Sequence, residues 1–416
     1  MLYLGCIADD FTGAGDAASF IRKSGLKTVY LNGDKLSDYT PAADVEALVI
    51  ALKCRSIPAR EAVAQVCEAA NWLLKQGAQQ LYYKYCSTFD STSEGNIGPV
   101  TDALMELCGA DCTVLCPALP VNGRTVRGGI LYVNGVPLAD SPMRFHPLNP
   151  MTESEVTRLM EMQSRYPSYA VTLEELYGDE TAMLKHLEAL KAKSERCTLA
   201  VDYCEDRDGE QIVRLFGKLP LLTGGSGLLE HLGRRWRQAA GGGEAAEAAP
   251  LSGGARLLLA GSCSEMTRRQ VRCFVENGGR AIKLEPLQLL DGTQTVEALC
   301  GELAAAKGDI MFYSSDDADQ VQRNQQQGAE LVSGVLEDSM GRLAAFAVEQ
   351  GCDRVVVAGG ETSGRVMLAL GYDAYEILED VAPGVPRMVP VEKPELSLAL
   401  KSGNFGGEDF FLTALN

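Results

Sequence analysis

Three aspartates and two glycines crowd one short segment near the start of the chain, Ala8-Asp9-Asp10-Phe11-Thr12-Gly13-Ala14-Gly15-Asp16. Leu2, Tyr3, Leu4, Cys6 and Ile7 before it form an apolar run of buried-strand length, and Ala17, Ala18, Phe20 and Ile21 begin a helical apolar face. The pattern predicts that Gly13 and Gly15 lie at a strand-to-helix turn. Backbone N–H groups at such a helix start lack partners and carry the positive end of the helix dipole, so they attract phosphate or carboxylate. Asp9, Asp10 and Asp16 oppose that attraction unless a metal, a lysine or a substrate hydroxyl is also present. The segment therefore points to chemistry on a hydroxyl group rather than to plain anion capture.

Other polar groups follow apolar strand candidates. They are Lys53 and Arg55 in ALKCRS, Lys84, Ser87, Thr88, Asp90, Ser91 and Thr92 in YYKYCSTFDSTSEGN, and Asn122 and Arg124 in PALPVNGRTV. Open parallel sheets collect ligand-binding residues outside the carboxyl ends of their strands, which is where all of these fall. Cations, carboxylates and hydroxyls mixed in this way suit a hydroxylated acid. A surface loop or a cap is the commoner role for any one of them, so the inference rests on their convergence.

The C-terminal part offers a second set. RVVVAGGETSGRVMLALG (354–371) runs from an apolar strand through Gly359-Gly360 into a helix, with Thr362 and Ser363 as hydroxyl donors. Phosphates fit such a turn, and so does a plain helix cap. Ser262 and Ser264 in LLLAGSCSEMTRRQ precede another helix, and LKSGNFGGEDFF (400–411) places Gly403, Asn404, Gly406 and Gly407 on one loop. Three Gly/Ser loops exceed what packing requires and favour a nucleotide pocket. No GxxxxGK[ST] string occurs and no GxGxxG follows a strand, which argues against a P-loop and a dinucleotide site. The turn Gly224-Gly225-Ser226 in LLTGGSGLLEHLG echoes 357–371 and either holds an anion or caps a helix. His146 and His231 stand apart from any Ser or Cys motif, so no triad is built on them. Cys54 and Cys86 are reactive thiols or, more commonly for such positions, buried structural ones.

A chain of 416 residues exceeds one ordinary core and implies two domains. Its net charge of −18 disfavours nucleic-acid binding. No apolar run reaches the roughly 18 residues that span a bilayer, and the N-terminus lacks a signal-like pattern, so no membrane role is expected. Thirteen cysteines, an odd count without a CxxC pair, and only three histidines fit a reducing cytoplasm and exclude a zinc cluster.

Strands are expected at 2–8, 45–52, 80–87, 112–118, 198–203 and 219–223, with helices between most of them and a hairpin at Asn134-Gly135. The second half repeats the alternation with strands at 256–261, 280–284, 309–313 and 354–358. The fold class is therefore α/β, two domains with largely parallel sheets. The expected boundaries are 1–238 for the first domain, 239–254 (AAGGGEAAEAAPLSGG) for a Gly/Ala-rich linker and 255–416 for the second. A ligand is expected in the cleft between the two.

Taken in order, ADDFTGAGD, KYCSTFDST, CPALPVNGRTV, LADSPMRFHPLNPMTES, AGGETSG and LKSGNFGGEDFF resemble the motifs of the four-carbon acid sugar kinases over essentially the whole chain. KYCSTFDSTSEGNIGP is most similar to the 3-oxo-tetronate kinase branch, whereas threonate and erythronate kinases tend to show a shorter form there. The resemblance implies an N-terminal domain that binds the sugar acid through Asp9, Asp10, Arg55, Lys84 and Asp90. It implies a C-terminal domain that contacts ATP through Ser262, Gly359, Gly360, Glu361, Thr362 and Gly403. The reaction it implies phosphorylates the 4-hydroxyl of 3-oxo-tetronate with ATP and Mg²⁺, or alternatively that of D-threonate or D-erythronate. Phosphoryl transfer needs a carboxylate to orient or deprotonate the hydroxyl, and Asp10 or Asp16 is the candidate, with the Gly13–Gly15 amides facing the transferred charge. A homodimer is the expected assembly. The rival classes are a nicotinamide-dependent hydroxy-acid dehydrogenase, which lacks its fingerprint here, and an exported sugar-acid binder, which lacks its signal.

Overall fold

The structure is a computed structural model that describes residues 1–33, 36, 39–146, 148–241, 256–306 and 308–414. It divides into two compact units, Met1–Ala246 and Glu247–Asn416. Of the expected linker, only 239–241 are described, and Ala239 ends the helix Leu229–Ala239; the rest lies outside the described residues.

In the first unit, short apolar runs become strands β1 (Leu4–Ala8), β2 (Thr28–Asn32), β3 (Ala47–Ala51), β4 (Gln80–Lys84) and β5 (Cys112–Cys116). After a small β6 (Arg124–Arg127), β7 (Ile130–Val133), β8 (Val136–Pro137) sheet come β9 (Ser168–Val171), β10 (Cys197–Val201) and β11 (Leu221–Gly224). The main sheet has the order β2-β3-β1-β4-β11-β5-β10-β9 and every neighbouring pair is parallel. Helices cover such a sheet on both faces, so β1 to β5 are buried along their whole length and read as continuous apolar runs. The hairpin lies where it was expected: Asn134 and Gly135 have φ of 50° and 81°, the left-handed pair a tight turn demands.

Register then decides where chemistry can gather. Ala8 pairs with Ala51 on one side and with Lys84 on the other, and Lys84 pairs with Gly224. Four neighbouring strands, β3-β1-β4-β11, thus end level. The residues just past them, 9–10, 52–55, 85–90 and 225–226, share one edge.

The second unit contains β12 (Arg256–Ala260), β13 (Arg280–Lys283), β14 (Ile310–Tyr313), β15 (Arg354–Ala358), β16 (Ala374–Ala382), β17 (Val385–Pro390) and β18 (Ser397–Lys401). Their order is β13-β14-β12-β15-β18-β17-β16. The first four pairings are parallel and the last two antiparallel. The largely parallel α/β class holds for both units. The antiparallel ribbon was not anticipated, because EILEDVAPGVPRMVP mixes acids and prolines into its apolar positions. Here too the ends align: Ala260 pairs with Tyr313 and Ala358, and Ala358 with Lys401. No helix among the described residues is long and apolar enough to cross a membrane.

Candidate functional site

The first helix corrects the reading of the glycines. It spans Phe11–Lys23, so Gly13 and Gly15 lie inside it, and the turn after β1 is Asp9 and Asp10 alone. Asp10 is the N-cap: its Oδ1 accepts from Gly13 N–H at 2.8 Å and its Oδ2 from Thr12 Oγ1 at 2.9 Å. A carboxylate already sits on the helix start, so these amides do not form an anion hole. Gly13 is required for space, since a Cβ there would overlap Asp10 Oδ1 and lie 3.1 Å from Lys84 Nζ.

Arg55 joins the two aspartates. Its Nε and Nη2 donate to the Asp9 carboxylate at 2.9 and 2.7 Å, and Nη2 also donates to Asp10 Oδ1 at 2.8 Å. The fork matches the planar carboxylate, the strongest form of such a pair. The loop that carries Arg55 is held from below. Cys54 and Arg55 N–H donate to Asp9 O, and buried Asn96 donates to the carbonyls of Cys54, Arg55 and Ile57. Burial pushes the Asp10 carboxyl up, but Arg55, Lys84, Thr12 and Gly13 outweigh it and hold it below the usual carboxylate value.

Lys84 ends β4 and is 3% exposed. Among the described residues its Nζ has one hydrogen-bond acceptor, Tyr85 O at 2.9 Å. Arg55 Nη1 likewise makes no hydrogen bond there, and its nearest acid is Asp90 Oδ2 at 3.8 Å. Phe89 and Asp90 both adopt left-handed backbone, φ 63° and 58°, a cost of about 1 kcal/mol or more for each non-glycine residue. That conformation holds Asp90 with Oδ1 buried and without a hydrogen bond among the described residues. His146 Nδ1 lies 3.6 Å from that oxygen. Burial raises the Asp90 pKa, and Arg55 and His146 only partly offset it.

The five residues expected to hold the sugar acid thus share one strand-end edge. Asp16 is placed differently, buried in the helix and accepting from the Ser226 hydroxyl. The Gly224-Gly225-Ser226 turn therefore holds a carboxylate of its own chain. Lys53 is exposed, and Arg124 turns back onto Asn122 O. Ser91 and Thr92 bond Gln163. Cys54 and Cys86 are thiols pushed up by burial, the inert outcome. His146, set aside in the sequence, and Asn96 are additions; His146 is separated from Asp90 by 56 positions, which no local pattern bridges.

In the second unit, Gly359 (φ 129°) leads from β15 into the helix Gly360–Leu370, whose N-terminus has no side-chain cap. Unlike the helix start at Asp10, this one carries no side-chain cap on its N-terminal amides. Ser262 N–H donates to Ala358 O at 3.1 Å, and a Cβ on Gly359 would fall 3.1 Å from Ser262 N and 3.2 Å from Thr362 Oγ1. A Cβ on Gly403 would overlap Ser262 Oγ. Ser262 therefore lies against both Gly359 and Gly403, and Thr362 against Gly359, with Gly360 and Glu361 exposed in the first turn beside them.

Lys401, not singled out in the sequence, fixes this loop. Its Nζ, buried at the end of β18, donates to Gly403 O at 2.9 Å, Ser402 O at 3.1 Å and Thr267 Oγ1 at 3.2 Å. Ser264 and Thr267 hydroxyls also reach Gly403 O, at 2.7 and 2.8 Å. All these partners are neutral, so burial pulls the ammonium pKa down to about 7. The available signal was the lone lysine closing an apolar strand, SLALK, just as Lys84 closes QLYYK.

Comparison with known proteins accords with this division. Residues 4–232 match the sugar-binding N-terminal domain model, and 257–411 match the nucleotide-binding C-terminal domain model. The chain is 43% identical over 418 residues to 3-oxo-tetronate kinase of Brucella melitensis, covering 99% of this chain and 94% of that protein. It is 42% identical over 424 residues to 3-oxo-tetronate kinase of Salmonella typhimurium, covering 100% and 99%. The solved structure of a Haemophilus influenzae protein matches with TM-score 0.78 and 39% identity, covering 99% of this chain and 98% of that one. The chain belongs to the four-carbon acid sugar kinase family and is a phosphotransferase.

Two variants test these arrangements. Gly→Ala inside a helix ordinarily stabilises by about 0.5–1 kcal/mol. Gly13→Ala is expected to reverse that sign and destabilise by about 1 kcal/mol, the value of the lost cap, in urea unfolding. Lys401 has a folded pKa of about 7, below the unfolded lysine value of about 10.4, so above pH 7 the unfolded chain binds more protons. The stability of the unaltered protein relative to Lys401→Met should therefore rise from pH 7 to 9 by on the order of 2 kcal/mol and fall away as pH drops through 7. A difference that does not change with pH would contradict the buried, uncompensated ammonium.

Proposed function

We propose that this family member transfers the γ-phosphoryl group of ATP to the 4-hydroxyl of a four-carbon sugar acid, giving ADP and the acid 4-phosphate. 3-Oxo-tetronate is the proposed acid, on the name of the relatives above. One observation carries the reading: at one strand-end edge, Lys84 Nζ and Arg55 Nη1 keep donors available while Asp90 Oδ1 keeps an acceptor. Such an edge suits a small molecule with anionic or carbonyl oxygens at one end and a hydroxyl at the other.

In this reading Arg55 and Lys84 bind the acid's oxygens. Asp9 and Asp10 hold Arg55 in place, so their negative charge is spent on orientation. The helix start at Gly360, which has no side-chain cap, meets the nucleotide phosphates, with Ser262, Thr362 and Gly403 shaping the approach. Transfer requires the acid held by one unit and the nucleotide held by the other to meet during turnover. Positioning and charge stabilisation supply most of the catalysis in such reactions.

Mg²⁺ is proposed to enter with ATP. It is usually held by phosphates and one or two carboxylates rather than by a protein cage, and no group of three metal-binding side chains occurs among the described residues. Glu361, in the first turn beside Gly360, is the carboxylate offered there. When bound, the ion neutralises phosphate charge. The thirteen free thiols suit a reducing compartment, the cytoplasm.

Coupled ADP release with MgATP against 3-oxo-tetronates, threonates and erythronates tests the proposal. The expected result is the highest kcat/KM on a 3-oxo-tetronate and no reduction of NAD⁺ or NADP⁺. Release with none of the acids would overturn the kinase assignment, and preference for threonate or erythronate would overturn the choice of acid.

A further inference from the structure

We infer that Asp90, rather than Asp10 or Asp16, takes the proton from the attacking hydroxyl, and that His146 is its positioning residue. This deepens the kinase reading and rests on it. Both oxygens of Asp9 are bound by Arg55. Asp10 Oδ1 is shared by Gly13 N–H and Arg55, and its Oδ2 receives Thr12. Asp16 is 6% exposed within its helix and receives the Ser226 hydroxyl. The Asp9 and Asp10 oxygens, taken up by these donors, have little affinity left for a proton, and Asp16 lies within the helix rather than at the strand-end edge.

Asp90 differs from Asp9 and Asp10 in its hydrogen bonding, and from Asp16 in lying at the strand-end edge beside Arg55. It is 6% exposed, yet Oδ1 has no hydrogen bond among the described residues. The backbone that presents it is strained over two consecutive residues, and strain of this kind persists at functional sites. Phe89 anchors the strained turn by packing edge-on against Tyr85, with ring centroids 5.7 Å apart.

The charged and titratable groups that face Asp90 are Arg55 and His146, which favour its ionised form, and Asp9 and Asp10, which oppose it; the Cys86 thiol is a further neighbour. Burial leaves the carboxyl above its usual value, and a proton acceptor works best with a pKa closer to the operating pH. His146 follows the turn Pro142–Phe145, and its Nδ1 accepts from Asn149 N–H at 3.1 Å. Asn149 Nδ2 in turn donates to Ser56 Oγ at 3.1 Å, tying the histidine loop to the Arg55 loop. The ring therefore faces Asp90 Oδ1 from a fixed position.

In the step itself, the substrate O–H breaks and its proton passes to Asp90 Oδ1. The freed oxygen pair forms the bond to the γ-phosphorus as the bond from that phosphorus to the β,γ-bridging oxygen breaks. That electron pair leaves with ADP, and the proton is then released to water.

The test compares steady-state ADP release from MgATP and 3-oxo-tetronate by the unaltered protein, Asp90→Asn, Asp10→Asn and His146→Gln, with ATP binding by each as the check on folding. Asp90→Asn should lower kcat about 100-fold or more while ATP affinity stays within about twofold. Asp10→Asn should raise the KM for the acid more than it lowers kcat. His146→Gln should move the acidic limb of the kcat/KM profile to higher pH, because the interaction by which His146 lowers the Asp90 pKa is gone. Should Asp90→Asn fail to fold, that shift carries the test. Asp90→Asn with kcat within about threefold of the unaltered protein, a larger kcat loss in Asp10→Asn, or an unmoved limb in His146→Gln overturns the inference and leaves the kinase reading standing. Absence of ADP release by the unaltered protein with every acid overturns both.

Discussion

The fork between Arg55 and Asp9 is the interaction on which the first unit's site depends. Two successive carboxylates at the end of a buried strand repel each other and lose hydration, and a cation between them is what lets both stay ionised. Asp9 also joins the strands through its backbone: its N–H donates to Lys84 O, and its carbonyl receives the amides of Cys54 and Arg55. One residue therefore fixes the ends of β1, β3 and β4 and orients the guanidinium. The donors that Arg55 and Lys84 leave available, and the oxygen that Asp90 leaves available, are what remains after this scaffold is satisfied.

The second unit reaches a comparable end by other means. No carboxylate caps the helix after Gly359, and glycines admit close approach among three loops. Hydroxyls and one buried lysine converge on the Gly403 carbonyl, fixing a loop that has few apolar side chains with which to pack. An open helix start with rigid neighbours suits phosphate. A helix start already occupied by Asp10 does not. The two Gly-containing turns that look alike in the sequence thus differ in what they can bind.

The sequence revealed what depends on local pattern. Apolar runs of strand length, each ended by polar residues, located nearly all the strands beneath the candidate site, and through them the two groups of loops. It did not reveal what depends on depth and distance. Gly13 reads as a turn residue because glycine usually is one, whereas its role is to make room for the Asp10 cap, and beyond it Lys84, within a helix. His146 meets Asp90 only through the hairpin insertion that carries it back toward the Arg55 loop. Lys401 and Asn96 look like ordinary polar residues until burial gives them several backbone carbonyls to satisfy. The β16–β17 ribbon escaped notice because its acids and prolines interrupt the alternation by which a strand is recognised.

The central claim is that the acid lies at the β3-β1-β4 edge with its hydroxyl on Asp90. A crystal structure with the four-carbon acid and a non-hydrolysable ATP analogue tests it most directly. Oxygens of the acid are expected on Lys84 Nζ and Arg55 Nη1, with the 4-hydroxyl within about 3 Å of Asp90 Oδ1. An acid bound away from this edge, or a 4-hydroxyl placed on Asp10 or Asp16, would contradict it.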